Sequence, residues 1–199
     1  MARADLILAS ASPRRARLLT EAGLAFAVEP SDVQEGVDDS WLAQEAAEAL
    51  AERKARAVAQ SHLGENCLVL GADTIVVLGE GENERLLGKP EGEGEARQML
   101  ERLSGTRHRV VTGVSVVRTR DGVARTAHEQ TWVTMRPIRP AEAAAYVKSG
   151  EWKDKAGGYA IQETADAFVE SLDGGGFDNV VGLPVALTLG LLAALDSPA

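Results

Sequence analysis

The residue types best suited to chemistry fall in four short segments. In CLVLGADTIVVL, residues 67–78, the tetrapeptide Gly71-Ala72-Asp73-Thr74 sits between two apolar runs. A carboxylate is disfavoured inside a strand, and burying its charge is costly without a partner. Asp73 is therefore a candidate metal ligand or general base, or a hydrogen-bond acceptor at a kink. The Thr74 hydroxyl either reads a ligand edge or packs in the strand. In LILASASPRRARLL, residues 6–19, a strand passes through a Ser-containing turn into a helix start. The free N–H groups and positive dipole end of such a start suit an anion. Arg14 and Arg15 follow at once, and Arg grips phosphate bidentately. An ordinary N-cap with solvated arginines is the plainer reading.

The other two segments carry lysines. Lys89, in LGKPEGE at 87–93, ends a short strand that the turn at 79–83 can return beside Asp73. There it is an ion-pair partner or a phosphate ligand. The stretch EWKDKAGGYAIQ, 151–162, holds Lys153, Asp154, Lys155, two glycines and Gln162. Loops of this kind often carry function, and a plain surface loop has the same composition. Gln162 reads as a polar group closing a short extended segment. Arg outnumbers Lys sixteen to five, so the lysines mark positions where a compact ammonium is preferred, or simply codon bias.

Several chemistries have no foothold. Cys67 is the one cysteine, so no internal disulfide forms, and its apolar setting reads as core rather than nucleophile. His62, His108 and His128 show no metal spacing, and His108 reads as a structural hydrogen-bonding residue. No P-loop, GxGxxG or GxSxG is present.

The elements that must position these residues follow from local signals. Residues 5–9 form a strand. Ser12 and Pro13 are an N-cap and first helical residue, opening a helix that Gly23 stops. A second strand covers 26–28. Ser40 caps a long Ala-rich helix to about Gln60, with Leu42, Ala46, Ala49 and Leu50 on one face. Strands follow at 67–78 and 85–87, Gly71 marking a bend or close backbone approach. Residues 95–103 are helical, 109–118 and 123–135 form a hairpin around Asp121-Gly122, and Pro140 opens a helix through 147. A strand at 168–172, a Gly-rich turn at 173–177 and a helix at 183–195 complete the chain. This mixture implies α/β or α+β.

Composition narrows the partners. The 199 residues suit one large domain or two packed lobes, and we expect a single domain over 1–199. At 45% hydrophobic and 4% aromatic, the core is expected to be mostly Ala, Val, Leu and Ile. A net charge of −9 argues against nucleic acid and anionic membrane as partners. The N-terminus lacks a convincing signal peptide and the apolar run at 182–195 is too short to span a bilayer, so the expected location is cytoplasmic.

Taken in order, SASPRR at 10–15, AERKARAV at 51–58, LGADTIVVL at 70–78, LGKP at 87–90, LSGTRHRVVTGV at 103–114, DKAGGYAIQ at 154–162 and NVVGLP at 179–184 resemble the Maf family of nucleoside triphosphate pyrophosphatases. The matches cover nearly the whole chain. The resemblance implies an α/β fold with a mixed central sheet, flanking helices and two lobes around a substrate cleft. It implies cleavage between the α and β phosphates to a monophosphate and pyrophosphate, with a divalent cation such as Mg²⁺ or Mn²⁺, in a family whose members are often dimers, so a homodimer is one possible state. It assigns the catalytic position to Asp73, metal contacts to Asp73 and Glu35, and substrate contacts to Arg14, Lys54, Lys89 and Lys155. Thr74 and Gln162, together with Arg14, resemble the dTTP- and UTP-acting branch, with a base pocket suited to a pyrimidine edge. The sequence departs from the family pattern at Gly92, where an Asp is common; either Glu91 or Glu93 substitutes or a metal contact is lost. It departs again at Trp152, where Pro is common, and at Glu163, where Gly is common. The alternative the family offers is a non-enzymatic septum-formation regulator that keeps the nucleotide cleft.

Overall fold

The computed structural model describes residues 5–33, 36, 41–81 and 84–196. Along them run β1 (Asp5–Leu8), α1 (Pro13–Glu21), β2 (Ala27–Val28), α2 (Ala43–Ala59), β3 (Cys67–Leu78), β4 (Arg85–Leu87) and α3 (Glu93–Leu103). Then come β5 (Arg107–Arg118), β6 (Ala124–Met135), α4 (Pro140–Ser149), β7 (Val169–Asp173), α5 (Phe177–Val181) and α6 (Val185–Asp196). The strands form one mixed seven-stranded sheet in the order β2-β1-β3-β5-β6-β7, with β4 pairing to β3. β1 runs parallel to β2 and β3, whereas β4 is antiparallel to β3 and β7 to β6. The fold is α/β, as the sequence implied.

The chain divides into two compact units. The first comprises residues up to 73, 112–129 and from 182 onward; the second comprises 74–111 and 130–181. In the first unit the strands alternate between two buried faces, as a period of two requires. Leu6, Leu8, Leu68, Leu70 and Ala72 pack with Leu19 of α1 and with Leu192 and Leu195 of α6. Ile7, Ala9, Cys67 and Val69 pack with Ala55, Val58 and Ala59 of α2. Burial on both faces explains why β3 reads as a continuous apolar run. Helix α2 lies very close to the sheet. A Cβ on Gly71 would stand 2.3 Å from the Ala51 carbonyl oxygen, and one on Gly113 would stand 2.2 Å from that of Ala47. The close approach expected at Gly71 is therefore made by a helix backbone.

The second unit packs Val76, Leu87, Leu100, Val110, Val133 and Met135 around four buried aromatic rings, Tyr146, Trp152, Tyr159 and Phe168. The mostly aliphatic core expected from composition is found in both units, with the aromatic rings concentrated here. Each polar handle among these rings is used. Tyr146 Oη accepts the Ala160 N–H at 3.0 Å, and the Trp152 indole donates to the Val147 carbonyl at 2.9 Å. Tyr159 Oη lies 2.8 Å from Nε2 of fully buried His108. Burial raises the Tyr159 pKa and lowers that of His108 to about 4, so the imidazole is neutral.

Element boundaries differ from expectation where caps were misjudged. Helix α2 begins at Ala43 with Leu42 as N-cap, whose N–H is accepted by Glu45 at 3.2 Å. Ser40 lies outside the described residues. Helix α3 starts two residues early, at Glu93, behind Gly92. Phe168 closes a 3₁₀ turn rather than opening β7, and the five-residue helix α5 was not foreseen beside its glycines. No described helix is long and apolar enough to cross a membrane.

Candidate active site

Asp73 is the last residue of the first unit. Counting by twos along β3 from Cys67 and Val69 puts it on the face covered by α2. Lys54 meets it there. Ala43, Ala47, Leu50, Ala51, Lys54, Ala55 and Val58 are the buried stripe of α2 at helical spacing, and Lys54 is the charged member. Its Nζ lies 2.5 Å from Asp73 Oδ1, with the two side chains 9% and 12% exposed. A charge-assisted bond of this length between nearly buried groups compensates the desolvation that made Asp73 anomalous in the sequence. The sequence reading had offered Lys89 as the neighbour of Asp73. The i, i+3, i+4 stripe through Lys54 is the sequence signal that could have named the observed partner.

Arg14 is half-buried in the first turn of α1. The turn before it is held from several sides. Buried Ser10 Oγ accepts the Ser12 N–H at 3.2 Å and Arg15 Nη1 at 3.1 Å. Arg15 Nε donates to the Gly182 carbonyl at 2.8 Å, and Ser12 Oγ faces the Arg15 N–H at 3.5 Å. Arg15, read as a possible anion ligand, thus ties SASPRR to the glycine of NVVGLP. The asparagine of that motif, Asn179, is buried in the second unit and donates to the Val110 carbonyl and to Thr131 Oγ1.

In the second unit the third and fourth segments come together. The Gly157 N–H donates to the Gly88 carbonyl at 2.9 Å, joining DKAGGY to LGKP. Gly157 has φ 70°, and a Cβ there would stand 2.9 Å from Val76 Cγ2 of β3. Gly158, at φ 69°, passes over Pro90 and Ala96. Close approach and positive φ call for glycine at 157, and positive φ alone favours it at 158. Asp154 before them holds φ 59°, a conformation that disfavours a non-glycine residue. Lys89 is exposed, two residues past the last ladder pair, Val76 with Leu87, and Thr74 is half-buried two residues before Val76 on β3. Lys155 Nζ bonds the Glu151 carbonyl and lies 3.6 Å from the Glu163 carboxylate. The family departure at Glu163 thus gives Lys155 an acidic neighbour. Trp152, the second departure, is core. Gly92 is the N-cap of α3, with Glu91 and Glu93 exposed beside it. Gln162 is exposed in a turn, three residues beyond extended Tyr159. Glu35 lies outside the described residues.

Asp73 and Glu35 offer hard oxygen donors, the type Mg²⁺ and Mn²⁺ prefer. With Lys54 on Oδ1, the Asp73 carboxylate retains lone pairs for a further ligand.

The chain was compared with known proteins. The family described as Maf-like protein matches residues 5–195. Among curated relatives, the dTTP/UTP pyrophosphatase of Moorella thermoacetica is 47% identical over 94% of this chain and 93% of its own. That of Symbiobacterium thermophilum is 45% identical over 98% and 95%. That of Desulforamulus reducens is 45% identical over 91% of both chains.

Proposed function

The chain belongs to the Maf family, and from that premise we propose that it hydrolyses dTTP and UTP to the nucleoside monophosphate and pyrophosphate. The observation that carries the reading is the buried Lys54–Asp73 pair at the centre of β3. A nucleoside triphosphate brings about four negative charges, which repel an attacking water and build further on the leaving pyrophosphate. Arg14 and Lys89 supply cations for those oxygens, and the N–H groups at the start of α1 add a fixed positive end. Lys54 holds the Asp73 carboxylate in one orientation. Asp73 then accepts a proton from the attacking water as general base, or serves as metal ligand. A divalent cation such as Mg²⁺ or Mn²⁺, held by Asp73 and Glu35, would supply charge neutralisation for the phosphates.

Thr74, next in sequence to Asp73, and Gln162 are the hydrogen-bonding groups we assign to the pyrimidine edge. Lys155, with its Glu151 and Glu163 contacts, orders the loop that carries Gln162 as well as offering a phosphate contact. We take both units as parts of one catalytic domain.

The test is a panel of triphosphates with Mg²⁺, with pyrophosphate and orthophosphate measured separately. dTTP and UTP are expected to give monophosphate and pyrophosphate, with Asp73→Asn slower by about 10²–10⁴ and still folded. Orthophosphate with a diphosphate product, or full turnover by the folded variant, would overturn the reading.

A further inference from the structure

At the far end of β3 from Asp73, three potential metal ligands converge. A ring nitrogen of His62, a Glu65 carboxylate oxygen and Cys67 Sγ all lie within 4.8 Å of one another. The Glu65 oxygen is 2.8 Å from Nδ1 and 3.6 Å from Sγ. The other imidazole nitrogen, Nε2, is 2.8 Å from a Glu29 carboxylate oxygen. We propose that His62, Glu65 and Cys67 form a second metal site, for a borderline-soft divalent cation such as Zn²⁺, oriented by Glu29.

The chemistry of the donors fits that class of ion. One nitrogen, one oxygen and one sulfur suit zinc, and three protein ligands leave a fourth position open. Ligand-to-ligand edges in a tetrahedral zinc site are about 3.3–3.8 Å, from bond lengths of about 2.0–2.3 Å. The present separations reach them with side-chain shifts of about 1 Å. Glu29 stands where metal-binding histidines usually find a carboxylate, on the nitrogen that does not face the ion. Carboxylate–imidazole hydrogen bonds alone would explain Glu29 and Glu65. What points to an ion is that a thiol converges on the same Glu65 oxygen as the imidazole, so that nitrogen, oxygen and sulfur donors meet at one place.

The backbone beneath the ligands is fixed. Thr119 Oγ1 donates to the Glu65 carbonyl at 2.7 Å and accepts the Cys67 N–H at 3.1 Å. The Glu65 N–H closes a turn onto the His62 carbonyl, and the Glu29 N–H is bonded to Leu8 of β1. Asp5 faces Cys67 across the β1–β3 ladder, adding negative charge. Cys67 is buried, His62 is 22% exposed and Glu65 58%, so an ion can enter from solvent. Cys67 and Asp73 are six residues apart on β3, about 20 Å. This site is therefore separate from the proposed catalytic one and does not depend on that reading.

Cobalt(II) gives a direct test on the full-length chain. Cys67 is the one cysteine, so a thiolate-to-cobalt charge-transfer band reports this site alone. The band is expected in the wild-type protein and in Asp73→Asn, to saturate at one ion per chain, and to be displaced by Zn²⁺. His62→Gln and Glu65→Gln, at partly or fully exposed positions, should each weaken binding at least tenfold. Glu29→Gln should weaken it by about 10–100-fold, the range for an outer carboxylate. Zn²⁺ should raise the melting temperature of the wild type and not of His62→Gln. Absence of the band, or cobalt affinity unchanged in His62→Gln, would overturn the proposal.

Discussion

In the first unit the buried side chains under α2 are small: Ala47, Ala51 and Ala55 face Gly71 and Gly113 on the sheet. In the second unit Tyr146, Trp152, Tyr159 and Phe168 stand in the core; the polar ends of Tyr146 and Trp152 hold backbone, and that of Tyr159 meets His108. The difference follows from what each unit must fix. Asp73 and Lys54 lie on regular elements, so a helix pressed onto a sheet sets their separation. The loop at 150–163 has little regular structure, so aromatic anchors with hydrogen-bonding tips hold it to α3, α4 and β4. Small residues position by close approach; aromatic residues position by reach.

The sharpest way to break this contrast is to uncouple the pair at the heart of the first unit. Lys54→Met leaves the Asp73 carboxylate buried without its ammonium. A loss of about 3–5 kcal/mol is expected, the range for breaking one side of a buried ion pair. Adding Asp73→Leu should restore much of that stability, because both charges are then gone, while activity stays absent. Denaturant melts of the two variants check this. If the double variant is no more stable than Lys54→Met, the pair is not what determines stability at this position.

A second prediction tests close approach directly. In Gly71→Ala the new Cβ meets the Ala51 carbonyl and, at 2.7 Å, the Ala55 nitrogen. Those are helix backbone atoms that no rotamer change relieves. We expect a loss of about 2–3 kcal/mol from overpacking, with turnover falling further than stability because Lys54 moves with α2. The same change at Gly88, where nothing lies within 4 Å, should be nearly silent. Stability of the pair of variants, measured side by side, decides whether the glycine of LGADT is there for the helix.

Much of this was legible in the sequence. Ser12-Pro13 announced α1, the apolar run announced β3, and Asp121-Gly122 announced the turn between β5 and β6. The ordered motifs identified the family. What stayed hidden depended on tertiary partners. Lys54 read as a substrate contact through the resemblance, and its pairing with Asp73 was not read because the contact joins a helix to a strand. Gly71 signalled close approach without naming the approaching atom. Asp73 looked anomalous because its compensating charge lies nineteen residues away. In the same way, His62, Glu65 and Cys67 lack a familiar metal spacing because a strand and the turn before it supply the geometry.

The smallest expected effect concerns the reach of the aromatic core. His108 is fully buried against Tyr159, and burial holds its pKa at about 4, below the ordinary 6.5. The unfolded chain binds the proton as pH falls through 6.5, whereas the folded protein resists it until about 4. Stability from this group is therefore complete above 6.5 and declines as pH drops toward 4. Between pH of about 7.5 and about 5 the loss should be roughly 2 kcal/mol. His108→Gln keeps a polar partner for Tyr159 and cannot titrate, so its stability should fall less over the same interval. Denaturant titrations at both pH values measure the two slopes. Equal slopes would mean that His108 takes up its proton without disturbing the ring cluster, and that the second unit's core is less tightly tied than its hydrogen bonds imply.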